Sequence, residues 1–218
     1  MKIKREISTA IVGTLNKYPV IALTGPRQSG KTTLLKALLQ DYTYVSLENP
    51  DNRDFALNDP NGFLKRYPSK VIIDEAQRVP LLFSYIQTAV DASGEMGQYI
   101  LSGSQNFHLI QEITQSLAGR VAIFKLFPFD FQEMITGGIL NEDYLANMIK
   151  GFYPAIYDRE LDPYKYYSNY VQTYIQRDVS ELIDIRNQGA FKRFLGIIAT
   201  RAGQLLNMNS IANECGIS

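Results

Sequence analysis

Residues 25–32 carry residue types that bind phosphate, at the spacing G-x-x-x-x-G-K-[ST]. Gly25 and Gly30 permit backbone turns that a Cβ atom would block, so successive main-chain N–H groups point into one concave loop. Lys31 supplies a mobile positive charge for the β- and γ-phosphates, and the Thr32 hydroxyl is the expected ligand of Mg²⁺. The predicted nucleotide-binding residues are Gly25, Pro26, Arg27, Gln28, Ser29, Gly30, Lys31, Thr32 and Thr33.

Two adjacent carboxylates, Asp74 and Glu75, form the second chemical feature. They follow the apolar run 71–73, and ligands of open α/β sheets bind beyond the carboxyl ends of the strands. We expect Asp74 to hold Mg²⁺ beside Thr32, since this ion uses only one or two carboxylates. Glu75 is the predicted catalytic residue that orients or deprotonates the attacking water.

Three further polar residues are candidates for catalysis alongside Lys31 and Glu75. Ser104 and Gln105 follow the apolar run 99–101, where a polar side chain can sense the γ-phosphate or position water. Turn residues that make local hydrogen bonds are the open alternative. Arg120 is a candidate charge-stabilising arginine, supplied within the chain or to a neighbouring subunit, and an ordinary salt bridge is its equal alternative.

The hydrophobic pattern supplies the elements that these residues need. The apolar run 20–23 predicts a buried strand before the phosphate loop, and residues 33–39 have the apolar spacing of a helix after it. Further strands are predicted at residues 42–48, 71–73, 99–101 and 121–126. Alternating strands and helices predict an α/β fold with a five-stranded, mainly parallel sheet that is covered on both faces.

The pattern becomes helical after Pro128. Helices are predicted at about residues 130–136, 141–150, 163–186 and 190–206. Residues 207–218 are typical of the first helix and turn of a helix-turn-helix. An ordinary C-terminal helix closed by a Gly cap is the alternative.

Composition limits the functional classes. Among 218 residues, 22 basic residues balance 22 acidic ones, so no global attraction to nucleic acid or to an anionic membrane is implied. Zero net charge does not exclude a local basic patch, so nucleic-acid binding is unsupported but stays open. Cys215 is the single cysteine, which excludes an intrachain disulfide and favours an intracellular setting. No signal-peptide pattern and no membrane-spanning run is present, so we expect a cytoplasmic protein without a membrane partner.

Sequence motifs that would read a guanine base are the next feature, because they distinguish GTP-binding from ATP-binding proteins. Signalling GTPases have an Asp followed by Gly near this point and a later Asn-Lys-x-Asp that reads guanine. This chain has neither pattern. ATP is therefore the preferred nucleotide.

Several segments together resemble one family, the predicted prokaryotic ATPases of the AAA-plus superfamily, which are sometimes grouped with STAND-type NTPases. The segments are residues 23–34, 71–77, 101–105, 117–120, 127–129, 151–154 and 174–178. The resemblance implies a P-loop NTPase sheet of the ASCE type, in which the strand at 99–101 lies between the phosphate-loop strand and the Asp74 strand. One departure is that Gly151 stands alone where many relatives have Gly-Gly, so residues 151–154 receive no catalytic role.

The resemblance also implies a domain order. We expect a P-loop ATPase domain at residues 1–135, a helical lid at 136–204 and the start of a truncated winged-helix domain at 205–218. Relatives usually continue into a C-terminal domain similar to restriction-endonuclease folds, which we expect to be absent from this chain.

Three functions compete. The leading hypothesis is an ATP-binding protein that hydrolyses ATP slowly with Mg²⁺ and uses the cycle to switch or move an attached domain. A nucleic-acid-stimulated motor is suggested by residues 74–77, which resemble a helicase acid box, but zero net charge and missing motor motifs count against it. A non-hydrolysing nucleotide sensor or scaffold is the third, and a small-molecule kinase is weaker. The oligomeric state, including a homo-oligomer, stays open.

Overall fold

The fold is built on one sheet of five strands, described here from a computed structural model that covers residues 3–104, 113–174 and 188–216. The strands are β1 (Val20–Thr24), β2 (Thr43–Ser46), β3 (Val71–Asp74), β4 (Tyr99–Ser102) and β5 (Val121–Lys125). Their order across the sheet is β2-β3-β4-β1-β5, and every pair of neighbours is parallel. The predicted five-stranded α/β sheet is confirmed, and β4 lies between β1 and β3 as the family resemblance implied.

Helices connect the strands and continue after β5. They are α1 (Ile7–Thr14), α2 (Lys31–Leu38), α3 (Pro50–Asn58), α4 (Pro60–Arg66), α5 (Leu82–Ser93), α6 (Phe131–Thr136), α7 (Tyr144–Lys150), α8 (Pro154–Asp158), α9 (Pro163–Tyr174), α10 (Gln188–Thr200) and α11 (Met208–Cys215). A short 3₁₀ turn, Ala76–Arg78, follows β3. The predicted helix at 163–186 is α9 as far as Tyr174, and its remainder lies outside the described residues.

Both faces of the sheet are covered, as a parallel sheet requires. All residues of β1, β3 and β4 are buried, whereas β2 and β5 at the two edges are partly exposed. Successive side chains of a strand point to opposite faces, so Ile73 joins the core formed with α3, α4 and α5, and Ile72 joins the core formed with α1 and α2. Asp74 follows Ile72 by two positions and therefore faces α2.

The chain divides into two compact units, Met1–Tyr166 and Tyr167–Ser218. Within the second unit, the Asn207 side chain accepts from Ser210 N at the start of α11, and Gly216 ends the helix in the left-handed conformation. These caps are compatible with both alternatives for the tail, and the predicted boundaries near 135 and 204 stay predictions. In the part of the chain that the structure describes, no helix has the length and apolar character to cross a bilayer.

Candidate functional site

The phosphate loop joins the carboxyl end of β1 to the amino end of α2. Gly25 has φ of 147°, and a Cβ atom there would lie 2.1 Å from the Leu126 carbonyl oxygen, so only glycine fits against the chain that leaves β5. Gly30 has φ of 95° and precedes the first residue of α2. Gln28 is also left-handed, with φ of 61°. The loop therefore has the sharp turns that its glycine positions predicted.

Lys31 is buried at the start of α2, with 7% of its surface exposed. Its Nζ donates to the Gly25 carbonyl oxygen at 3.0 Å and to the Pro26 carbonyl oxygen at 2.8 Å. The side chain thus curls back over the loop, which places a positive charge against the loop backbone rather than in solvent.

The Asp74 carboxylate accepts hydrogen bonds from four donors. Thr32 Oγ1 donates to Oδ2 at 2.9 Å, and Tyr44 OH donates to the same oxygen at 2.7 Å. Ser102 Oγ donates to Oδ1 at 2.5 Å, and Glu75 N donates to Oδ1 at 3.2 Å. The structure thereby brings together Thr32 and Asp74, the two residues expected to share a cation.

Tyr44 and Ser102 were missed by the sequence analysis. Ser102 is the last residue of β4 and is aligned with Asp74, which is aligned on its other side with Ser46 of β2. Tyr44 lies two residues before Ser46 and so shares its face. The available signal was a hydroxyl near the carboxyl end of each strand that flanks β3, but it becomes visible only with the strand order.

The Tyr44 hydroxyl is held as a donor by its surroundings. Burial, followed by the hydrogen bond to Asp74 and its negative charge, raises the pKa of Tyr44 to about 12. The ammonium of Lys36, one helical turn after Thr32, lies 3.6 Å from the centroid of the Tyr44 ring. The phenol therefore stays protonated at neutral pH and points its proton at Asp74.

Glu75 follows Asp74 in a left-handed conformation, with φ of 54°, which turns its side chain out of the strand. Gln77 Nε2 donates to Glu75 Oε2 at 2.5 Å and to Ser104 Oγ at 3.3 Å. Burial raises the pKa of Glu75, the positive charge of Arg27 opposes this rise, and the Asp74 charge adds to it. Glu75, Ser104 and Gln77 therefore form one polar group beside the loop. The sequence placed Gln77 in a motif but predicted no role for it in the site.

Arg120 is not brought to this site within the chain. It immediately precedes β5, whose first residue pairs with Val20 at the start of β1. Arg120 therefore lies at the amino ends of the strands, about 13 Å along β1 from the loop at its carboxyl end. Its Nε and Nη2 donate to the two carboxylate oxygens of Asp91 at 2.5 and 2.8 Å. The prediction that Arg120 acts at the site of its own chain is therefore wrong, because strand direction separates it from the loop.

Gln105, the other candidate beside Ser104, lies outside the described residues.

Arg5 is a further residue that the sequence analysis missed. This buried side chain donates from Nη1 to the Ser29 carbonyl oxygen of the loop at 2.9 Å and from Nη2 to the Phe127 carbonyl oxygen at 2.6 Å. Its Nε donates to Glu133 Oε2 at 2.9 Å, and both side chains of this ion pair are less than a tenth exposed. Arg5 therefore ties the segment before α1 to the loop and to α6.

The segment that follows α7 also contacts the loop. Tyr166 OH donates to Gln28 Oε1 at 2.6 Å, and a Cβ atom at Gly30 would lie 4.0 Å from Pro154 Cγ. The ring centroids of Tyr153 and Tyr166 lie 5.8 Å apart. Part of the predicted helical region thus packs beside the phosphate loop.

Comparisons with known proteins concern the family and the fold of the chain. A family described as AAA domain matches residues 17–135, and a domain of unknown function, DUF8612, matches residues 141–218. Two curated relatives are the uncharacterized proteins Mb2031c of Mycobacterium bovis and Rv2008c of Mycobacterium tuberculosis. Each is 27% identical over 219 residues, covering 99% of this chain and 48% of the relative. The chain therefore spans about half the length of these relatives.

Two solved structures share the fold. The Walker-type ATPase PABY2304 of Pyrococcus abyssi has a TM-score of 0.57 and 16% identity, covering 99% of this chain and 89% of that one. AMPPCP-bound DnaA from Aquifex aeolicus has a TM-score of 0.50 and 13% identity, covering 96% of this chain and 74% of that one. These likenesses confirm the predicted P-loop ATPase fold.

Proposed function

This chain belongs to the AAA domain family, and on that premise we propose that it binds ATP with Mg²⁺ and hydrolyses the ATP. The observation that carries the proposal is the 2.9 Å hydrogen bond between Thr32 Oγ1 and Asp74 Oδ2. It brings the phosphate loop and the acidic end of β3 to one point. The solved structure of DnaA with bound AMPPCP supports a nucleotide as the ligand.

The oxygen atoms of Thr32 and Asp74 fit Mg²⁺, which prefers oxygen ligands and binds to few protein groups. Thr32 and Asp74 would hold the ion, which supplies positive charge against the phosphate oxygens when it is bound. The N–H groups of the loop and the amino end of α2 would surround the β-phosphate. Lys31 would leave the carbonyl oxygens of Gly25 and Pro26 for the more strongly charged phosphate oxygens.

Glu75 is the proposed general base. Its carboxylate would take a proton from water while the water oxygen attacks the γ-phosphorus and ADP leaves. The raised pKa supports this role, because a base works best when its pKa approaches the working pH. Gln77 would orient this carboxylate, and Ser104 would hold Gln77 in place.

Two further roles stay proposals. Gln105 is a proposed contact of the γ-phosphate, and Arg120 is a proposed donor to the nucleotide site of a neighbouring subunit.

We also propose that the nucleotide cycle drives a conformational switch. The supporting observation is the hydrogen bond from Tyr166 to Gln28, since it connects the loop directly to the start of α9. A phosphate bound by the loop would act on the Gln28 backbone, and the side chain would pass any shift to Tyr166.

The first prediction is that Mg²⁺-dependent phosphate release from ATP requires Lys31. Replacement by Ala removes a charge-assisted hydrogen bond, which is worth about 1.5–3 kcal/mol, so a fluorescent ATP analogue should bind at least about tenfold more weakly. Lys65→Ala, on the exposed side of α4, is the matched control and should behave as wild type. Equal phosphate release by wild type and Lys31→Ala in Mg²⁺, or release by wild type that EDTA does not lower, would reject the ATPase proposal.

A further inference from the structure

All the acceptor positions of Asp74 are occupied in the structure. A carboxylate offers about four lone-pair directions, and four donors fill them: Thr32, Tyr44, Ser102 and Glu75 N. A divalent cation that binds Asp74 must therefore displace at least one donor. Thr32 is the donor that can yield, because its hydroxyl can turn its own lone pairs to the same cation.

We infer that Tyr44 is a positioning residue that holds the Asp74 carboxylate in the orientation in which it binds a divalent cation. This inference rests on the proposed function and extends it to a residue of β2, which two strands separate from β1 and its phosphate loop. Tyr44 fixes the oxygen that faces Thr32, and Ser102 fixes the other one. With both oxygens held from neighbouring strands, the carboxylate cannot rotate when Thr32 turns away.

The Tyr44 ring is itself well placed for this task. It packs against the core that contains Ile72, and its hydroxyl reaches Asp74 from the edge strand β2. Lys36 of α2 lies over its face at 3.6 Å from the centroid, so the half-buried ring is packed between its own strand and this helix. A tyrosine has only two rotatable side-chain angles, and a packed ring therefore holds its hydroxyl at little further cost in entropy.

A purely structural role for the hydroxyl is the alternative, and the chain offers a matched control for it. Tyr42 lies two residues earlier, is also half-buried against the same core, and donates from its hydroxyl to the Gly97 carbonyl oxygen at 2.7 Å. Tyr42→Phe removes a hydrogen bond of the same length from the same segment. It does so without touching Asp74.

The test measures the affinity of a fluorescent ATP analogue in EDTA and at one fixed Mg²⁺ concentration below saturation of the free protein, and takes the ratio of the dissociation constant in EDTA to that in Mg²⁺. This ratio reports how strongly cation and nucleotide favour each other's binding, and it needs no turnover. Partners that orient a metal ligand typically contribute 10–100-fold to metal affinity. We expect Tyr44→Phe to lower the ratio about tenfold with little change in EDTA, and Tyr42→Phe to leave it unchanged.

Ser102→Ala is the second variant, since it frees the other oxygen of Asp74 and should also lower the ratio. It keeps the inference falsifiable if Tyr44→Phe proves unfolded by circular dichroism, because an unchanged ratio in Ser102→Ala would show that cation binding does not depend on how Asp74 is held. An unchanged ratio in Tyr44→Phe, or an equal fall in Tyr42→Phe, overturns the inference while leaving the proposed function intact. If wild type binds no nucleotide under either condition, the proposed function fails and the inference fails with it.

Discussion

Replacement of Glu75 by Gln should lower phosphate release from ATP at least about a hundredfold, because a positioned general base contributes 10²–10⁴-fold to the rate. The amide has nearly the shape of the carboxylate but cannot accept the proton of the attacking water. Its carbonyl oxygen can still accept from Gln77 Nε2, which lies 2.5 Å from Glu75 Oε2 in the wild type. We therefore expect the affinity for ATP to stay within about threefold of wild type.

The measurement is single-turnover phosphate release together with equilibrium binding of a fluorescent ATP analogue. Glu48→Gln is the matched control, because this exposed acid also raises the pKa of Glu75 through its charge and has no assigned chemical role. It should alter release by no more than a few-fold. If Glu75→Gln releases phosphate as fast as wild type, Glu75 is not the base. Tight binding by wild type without any release would favour the nucleotide sensor instead.

Replacement of Arg5 by Met should lower the free energy of unfolding by about 3–5 kcal/mol, the usual cost of removing one partner of a buried ion pair. The change leaves the carboxylate of Glu133 buried, with 3% of that residue exposed, and without its countercharge. It also removes the donors to the carbonyl oxygens of Ser29 and Phe127. Since Ser29 belongs to the phosphate loop, nucleotide affinity should fall as well.

Urea unfolding followed by circular dichroism measures this effect. Lys70→Met is the matched control, because it breaks an ion pair with Asp41 in which both side chains are 61% exposed, and it should leave the urea midpoint unchanged. The double change of Arg5 to Met and Glu133 to Leu should recover part of the loss, since no buried charge then remains unpaired. Equal midpoints for Arg5→Met and Lys70→Met would show that the buried pair has no such role.

The sequence alone was sufficient for features that depend on neighbours along the chain. The phosphate loop is recognisable because its chemistry needs glycines, a lysine and a hydroxyl within eight consecutive residues. The strands ending at Thr24, Asp74 and Ser102 were predictable because a sheet buried on both faces needs continuous apolar runs. The order of the strands came from family resemblance rather than from composition or periodicity.

Contacts between residues far apart in the chain were decided only by the tertiary structure. Tyr44 and Ser102 reach Asp74 across 30 and 28 positions, and Arg5 reaches Glu133 across 128. No local pattern marks such residues, because each is an ordinary strand or helix-flanking residue until the strand order and helix packing bring its partner close. The same geometry separates Arg120 from the loop, since it lies at the amino ends of the parallel strands and the loop lies at their carboxyl ends. The sequence by itself therefore determined which groups can bind a phosphate, and the packing determined which groups hold them in place.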